Sequence, residues 1–143
     1  MSQENVEMVR SIYAVGPPDF VSAYSDPEFV RGMEQAFSLL LDPEIDFLPP
    51  GPGFAPSRGI AGYWKSMREW LAMWETYSVE AERFIDAGDA VVVVTRERGR
   101  SRSAGVEVEQ SAAAVWRIQD GRITSMRNYY DQSEALQAAG LSE

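Results

Sequence analysis

Apolar residues recur every three or four positions in the first half of the chain and alternate with polar ones in the second. Val6, Val9, Ile12 and Tyr13 lie at helical spacing behind Ser2, a residue type suited to an N-cap. Gly16-Pro17-Pro18 ends that helix, because proline cannot continue it and restricts the residue before it. Residues 19–41 read as helical pieces interrupted near Asp26-Pro27, with Phe29, Met33, Phe37 and Leu40 as one stripe. Asp42-Pro43 breaks the pattern, and Ile45-Asp46-Phe47 gives a short alternating strand. The stretch 49–59 is rich in proline and glycine and is expected to be a loop. A helix over 59–75 follows, opened by Gly59. Its apolar stripe is Ile60, Trp64, Met67, Leu71 and Trp74, and its wet face is Lys65, Arg68, Glu69 and Glu75.

From there the pattern turns to strands. Val79–Phe84 leads through the turn Asp86-Ala87-Gly88-Asp89 into a long β-branched strand, Ala90–Arg98. A loop over 99–105 precedes a second long strand, Val106–Ile118. Gln119-Asp120-Gly121-Arg122 is a tight-turn signal of the type I′ kind, and Ile123–Tyr130 is the last strand. A short helix closes the pattern, with Asp131 as N-cap, Glu134 at the third helical position and Gly140 as stop. Helices first and then an antiparallel meander is an α+β order, not alternating βαβ units.

Composition narrows the chemistry. At 143 residues the chain is expected to form one domain, 1–143, with a core of useful size. Thirteen basic against 22 acidic residues leave a net charge of −9, which disfavours nucleic acid and anionic membrane surfaces as partners. There is no Cys and no His, so thiolate chemistry, structural zinc and the commonest acid/base group are all missing. Catalysis would have to use carboxylates, Tyr, Lys, Arg or amides. No Asp-rich calcium loop is visible, and neither metal nor cofactor is expected. The acidic, polar N-terminus is unlike a secretory signal, and the longest apolar run is Ala90–Val94, so a cytoplasmic protein is expected.

An ordered set of segments runs over nearly the whole chain. It comprises Glu4-Asn5-Val6 through Ile12-Tyr13, Leu41-Asp42-Pro43-Glu44-Ile45-Asp46-Phe47, and Arg58-Gly59-Ile60-Ala61-Gly62-Tyr63-Trp64. Ile85 to Val93, Val115 to Ile123, and Tyr129-Tyr130-Asp131 through Leu136 to Leu141 complete it. Together they resemble SnoaL-like proteins of the NTF2-like superfamily, although Pro17–Arg31 is longer than usual there. The resemblance implies a cone-shaped, curved antiparallel or mixed sheet wrapped around N-terminal helices, with one central pocket and often a homodimer through the sheet. The family includes polyketide cyclases, ketosteroid isomerases, limonene epoxide hydrolases and non-catalytic binding domains, so fold alone does not give function.

Each of those chemistries makes a definite demand on the residues present. Isomerases of this kind need a base, a tyrosine and a protonated Asp where this chain has Leu48, Ile12 and Ala114, with Tyr13 one residue away. The epoxide hydrolase set falls on Glu97, Gly99 and Asn128, and neither a glycine nor an amide replaces what is lost. Cyclase-like chemistry needs an acidic residue and donors around an apolar cavity, for which Glu97, Asn128 and Asp131 are candidates. The family register turns Thr95, Glu97, Gln110, Ala112, Ala114, Trp116, Met126, Asn128 and Tyr130 inward, under a helix carrying Trp64 and near Tyr13. The alanines opposite a Trp would leave room for something flat. Glu97 and Asn128 are then the candidate catalytic pair, with Gln110 a second donor. The others would contact a small apolar, aromatic or polyketide-like molecule.

Plainer readings stand beside these. Glu97 lies in Arg96-Glu97-Arg98 and can equally pair with arginines at a wet strand end. Asp131 fits a helix cap, and Trp64, Trp70 and Trp74 fit a core. Arg96, Arg98, Arg100 and Arg102 share one strand face, which suits a solvated edge better than an anion site. The outward Val92, Val94 and Val115 suggest an apolar face for a homodimer. A binding or dimerisation module without turnover is the rival to any enzyme.

Overall fold

The computed structural model describes residues 2–14, 17–48 and 55–141. The first helix, α1, is Ser2–Ala14, and two short helices follow, α2 (Phe20–Tyr24) and α3 (Pro27–Ser38). Asp19 and Asp26 cap the latter two, each carboxylate accepting from N–H groups of the first turn. Pro27 opens α3 where a missing N–H costs nothing. The longer Pro17–Arg31 segment therefore becomes α2 and the start of α3. The end expected of α1 at Gly16 lies outside the described residues, as do positions 49–54 of the Pro-Gly loop.

Strand β1 spans Leu41–Leu48, so it takes in Asp42-Pro43, which was expected only to end the helical pattern, and begins before the strand expected at 45–47. The ladder accommodates the proline by skipping from Leu41 to Asp46. Ser57–Arg58 forms a two-residue strand, β2, within the stretch expected to be a loop. Helix α4 covers Ile60–Leu71 and stops short of the expected residue 75. Trp74 and Glu75 instead open β3, Trp74–Asp86, where pairing with β4 (Ala90–Ser101) outweighs another helical turn for a stretch containing Thr76 and Tyr77. β5 is Glu107–Gln119, β6 is Arg122–Tyr129, and α5 is Gln132–Ala138. Asp120 (φ 53°) and Gly121 (φ 77°) are both left-handed, as a type I′ turn requires.

The six strands form one curved, unclosed sheet in the order β2-β1-β6-β5-β4-β3. β1 runs parallel to β6, and every other pair is antiparallel. An extra residue, Glu82, interrupts β3 between the pairs Ala81–Thr95 and Arg83–Val94. Before it Tyr77, Val79 and Ala81 share the face of Glu97; beyond it Phe84 does, paired with Val93.

That concave face carries the main core. Val91, Val93, Ala114, Trp116, Ile118 and Met126 pack against Val6 and Val9 of α1, Tyr63 and Trp64 of α4, and Leu41, Ile45 and Phe47 of β1. On the convex face Ala90, Val92, Ala113 and Val115 pack under Ala135 and Leu136 of α5. This corrects the premise of the dimer argument. Val92, Val94 and Val115 are 0%, 5% and 3% exposed, so the apolar area expected there is not on the surface. The arginines of β4 do lie outward, in a ladder of ion pairs: Arg96 with Glu82 and Glu109, Arg98 with Glu109, Arg100 with Glu75 and Glu107. Among the described residues no helix is long and apolar enough to cross a membrane.

Candidate functional site

Between the concave face of the sheet and helices α1–α4 lies a cavity of about 730 Å³. Phe29, Met33 and Phe37 of α3, with Leu40 just beyond its end, form one wall, which is why those residues are only half-buried although apolar. α4 contributes Tyr63, Trp64, Met67 and Trp70, and α2 contributes Phe20 and Tyr24. The sheet supplies Tyr77, Val79, Thr95, Glu97, Trp116, Met126 and Asn128. The lining is overwhelmingly apolar and aromatic, and its volume falls in the range of small-molecule sites, roughly 300–1,000 Å³.

Glu97 is the buried carboxylate of this cavity, 7% exposed. The period-two alternation that sends Arg96 and Arg98 to the glutamate ladder sends Glu97 to the opposite face, so it does not pair with its neighbours. Its partners are hydroxyls. Tyr77 donates to Glu97 Oε1 at 2.7 Å, and the Trp70 indole hydrogen-bonds the Tyr77 oxygen in turn. The Thr95 hydroxyl sits between the Ala112 carbonyl, at 3.4 Å, and the same carboxylate. Its one hydrogen serves one acceptor at a time, and an ionised Glu97 is the stronger. Burial pushes the Glu97 carboxyl above its ordinary value, while the Tyr77 and Thr95 hydrogen bonds hold part of that rise back.

Two phenols flank this group. Burial pushes Tyr77 far up and Glu97 adds to the shift, so Tyr77 remains a donor. Tyr13 is likewise raised by burial; its oxygen accepts from Trp116 Nε1 at 3.0 Å, which works against the rise, and Glu97 works with it. Trp64 Nε1 is satisfied by Ser38 Oγ at 3.0 Å. The Asn128 amide donates to the Met126 sulfur, at 3.2 Å, a weak acceptor that a ligand carbonyl could replace. Among the described residues no cluster of three metal-ligating side chains is present.

The SnoaL-like domain profile matches residues 21–126, most of the chain. The chain belongs to the SnoaL-like family. No curated protein matches this SnoaL-like sequence. Among solved structures it is similar to an NTF2-like protein of unknown function from Burkholderia pseudomallei, 18% identical, with 93% of this chain and 95% of that one covered and a TM-score of 0.69. It is similar also to Bal32a from a soil-derived mobile gene cassette, at 17% identity, 90% and 89% coverage and a TM-score of 0.70. TerC, co-crystallised with polyporic acid, is 19% identical over 95% of this chain and 98% of that one, with a TM-score of 0.64. At such identities the likeness shows the fold.

The SnoaL-like cavity brings together Tyr13, Trp64, Thr95, Glu97, Trp116, Met126 and Asn128 of the residues expected there. Four expected residues do not line it. Gln110 pairs with Glu97 across the ladder, but it stands on an exposed strand end and turns its amide to the Ser111 carbonyl. Ala112 and Ala114 are buried in the sheet, Ala114 within the main core, so their smallness does not open the cavity. Tyr130 is 44% exposed, because the sheet ends at Tyr129 and the chain bends toward the α5 cap. Asp131 accepts from the Ser133 N–H at 2.8 Å, as a cap does. Tyr77 was not anticipated; it fell between the expected helix end at 75 and strand start at 79. The alternation of Tyr77, Val79 and Ala81 was its one signal.

A stability measurement checks the environment of Glu97. A carboxyl that holds its proton more tightly in the folded chain adds stability below its ordinary value of 4.5, and that contribution is lost as pH rises through the raised folded value. Glu97→Gln has no such titration. The stability of the variant minus that of the parent, from urea unfolding, should therefore rise from acid to neutral pH. A difference that stays flat or falls would show a carboxylate stabilised in its ionised form.

Proposed function

We propose that this SnoaL-like chain binds a small, apolar, ring-bearing molecule in the cavity, with Glu97 meeting its polar end. The carrying observation is one buried carboxylate, held by Tyr77 and Thr95, on the wall of an apolar cavity of about 730 Å³. With His absent from the sequence, a carboxyl raised by burial is the group best placed to take or give a proton near neutral pH. Asn128 is the neighbouring donor that would polarise a ligand carbonyl. The TerC complex supports the reading to the extent that a protein of this fold was co-crystallised with an organic molecule.

A second reading, binding without turnover, draws on Gly99. The hydrolase-like set has no side chain there, and the Trp74 ring occupies the space a side chain would need.

The test combines a ligand screen with one designed obstruction. Ligands of the native state should raise its melting temperature. Gly32 lines the cavity from the interior of α3, and a Cβ there meets nothing within 4 Å. Gly32→Leu should keep the fold, and gain up to about 1 kcal/mol from helix propensity, while weakening binding of every hit. Hits whose shifts persist unchanged in Gly32→Leu would place binding elsewhere. Given a turned-over hit, Glu97→Gln should abolish turnover and leave binding of the apolar body; unchanged turnover would remove Glu97 from the chemistry.

A further inference from the structure

A buried carboxylate is normally paired with a cation, because an isolated charge is costly to remove from water. Glu97 has none. The groups that act on it are burial and the hydroxyls of Tyr77 and Thr95, and no Lys or Arg lines the cavity. The positions outside the described residues, 1, 15–16, 49–54 and 142–143, contain no Lys or Arg either. The nearest arginines in sequence are committed to glutamates on the other face of the sheet. The second carboxylate of the lining, Glu28, adds negative charge.

What surrounds this unpaired acid is aromatic: Tyr13, Phe20, Tyr24, Trp70, Tyr77 and Trp116 all line the same cavity. Aromatic faces attract organic cations through their quadrupoles, and a carboxylate supplies the charge-assisted hydrogen bond. Carboxylate and phosphate ligands would find no counter-charge here and a repelling one in Glu97. Resting on the cavity-binding reading above, we infer that the ligand is an organic amine whose protonated nitrogen donates to Glu97 and whose apolar body fills the aromatic cavity. Tyr77 and Thr95 then act as positioning residues, holding the carboxylate so that a lone pair faces the ligand.

N-benzylpiperidine, protonated at neutral pH, and N-benzoylpiperidine, its uncharged amide, share a skeleton and separate the readings in titration calorimetry. The amine should bind at least about tenfold more tightly than the amide, and Glu97→Gln should remove that advantage. Affinity of the amine for the unmodified protein should fall as pH drops and Glu97 takes up a proton. This profile decides the matter even if Glu97→Gln fails to fold. Equal or tighter binding of the amide, or amine binding that strengthens toward acid pH, would overturn the amine assignment and leave the cavity reading intact. Failure of both probes to bind at millimolar concentration would overturn the cavity reading and this inference with it.

Discussion

Replacing Trp116 by alanine should cost about 3–5 kcal/mol of folding stability, the range for emptying a large aromatic site in a packed core. Trp116 is 2% exposed and belongs to the main core on the concave face. Its ring packs edge-on against Tyr13 at 6.1 Å and tilted against Phe37 at 6.3 Å. Its indole N–H bonds to the Tyr13 oxygen at 3.0 Å, so one side chain ties α1 and α3 to β5. The site cannot collapse easily, because its neighbours already border the cavity. Trp116→Phe should recover most of the packing without the hydrogen bond, and lose correspondingly less. Urea unfolding measures both; a loss below about 1 kcal/mol for the alanine variant would mean that Trp116 is not the brace described.

Gly99→Ala is the second large effect expected, although it adds only a methyl group. A Cβ at this position would lie 2.6 Å from Trp74 Cε3 and 2.9 Å from the Thr76 carbonyl oxygen. The ring could shift, but the carbonyl belongs to the β3–β4 ladder and cannot move without breaking it. Overpacking of this kind costs about 1–3 kcal/mol, and the upper end is expected where backbone is one of the obstacles. The Trp74 ring packs tilted against Tyr77 at 5.6 Å, so its displacement should also loosen the Tyr77 bond to Glu97. Thermal unfolding of Gly99→Ala beside the parent checks the claim, and a melting temperature within about 1 °C of the parent would refute it.

The strands and helices were legible because their periods are unambiguous. Burial on both faces of β4 is visible as the run Ala90–Val94, and the Asp120-Gly121 turn is written in the two residue types that tolerate left-handed backbone. The α4 boundary was not legible, since Trp74 continues the helical stripe at correct spacing while its actual neighbours, Gly99 and Tyr77, are set by pairing to β4. Period two placed Glu97, Gln110 and Tyr130 on one side, and it says nothing about how far along each strand the helices reach. Gln110 and Tyr130 fall beyond that cover. The convex face misled for a similar reason: Ala135 and Leu136, on a helix of only seven residues, shield valines twenty or more residues earlier.

The extra residue in β3 carries a meaning that its size conceals. Glu82 itself sits in an ion pair with Arg96, and its carboxylate is nowhere near the cavity. Yet it exchanges odd positions for even ones, letting Tyr77 look toward Glu97 at one end of the strand and Phe84 toward Tyr13 at the other. Removing this one residue would force a choice. Either Phe84 leaves the core for water, or Tyr77 swings to the outside and abandons the carboxylate. A strand that continuous pairing would have dedicated to a single purpose thus serves two, and a deletion far from any ligand would be felt as the loss of one of them.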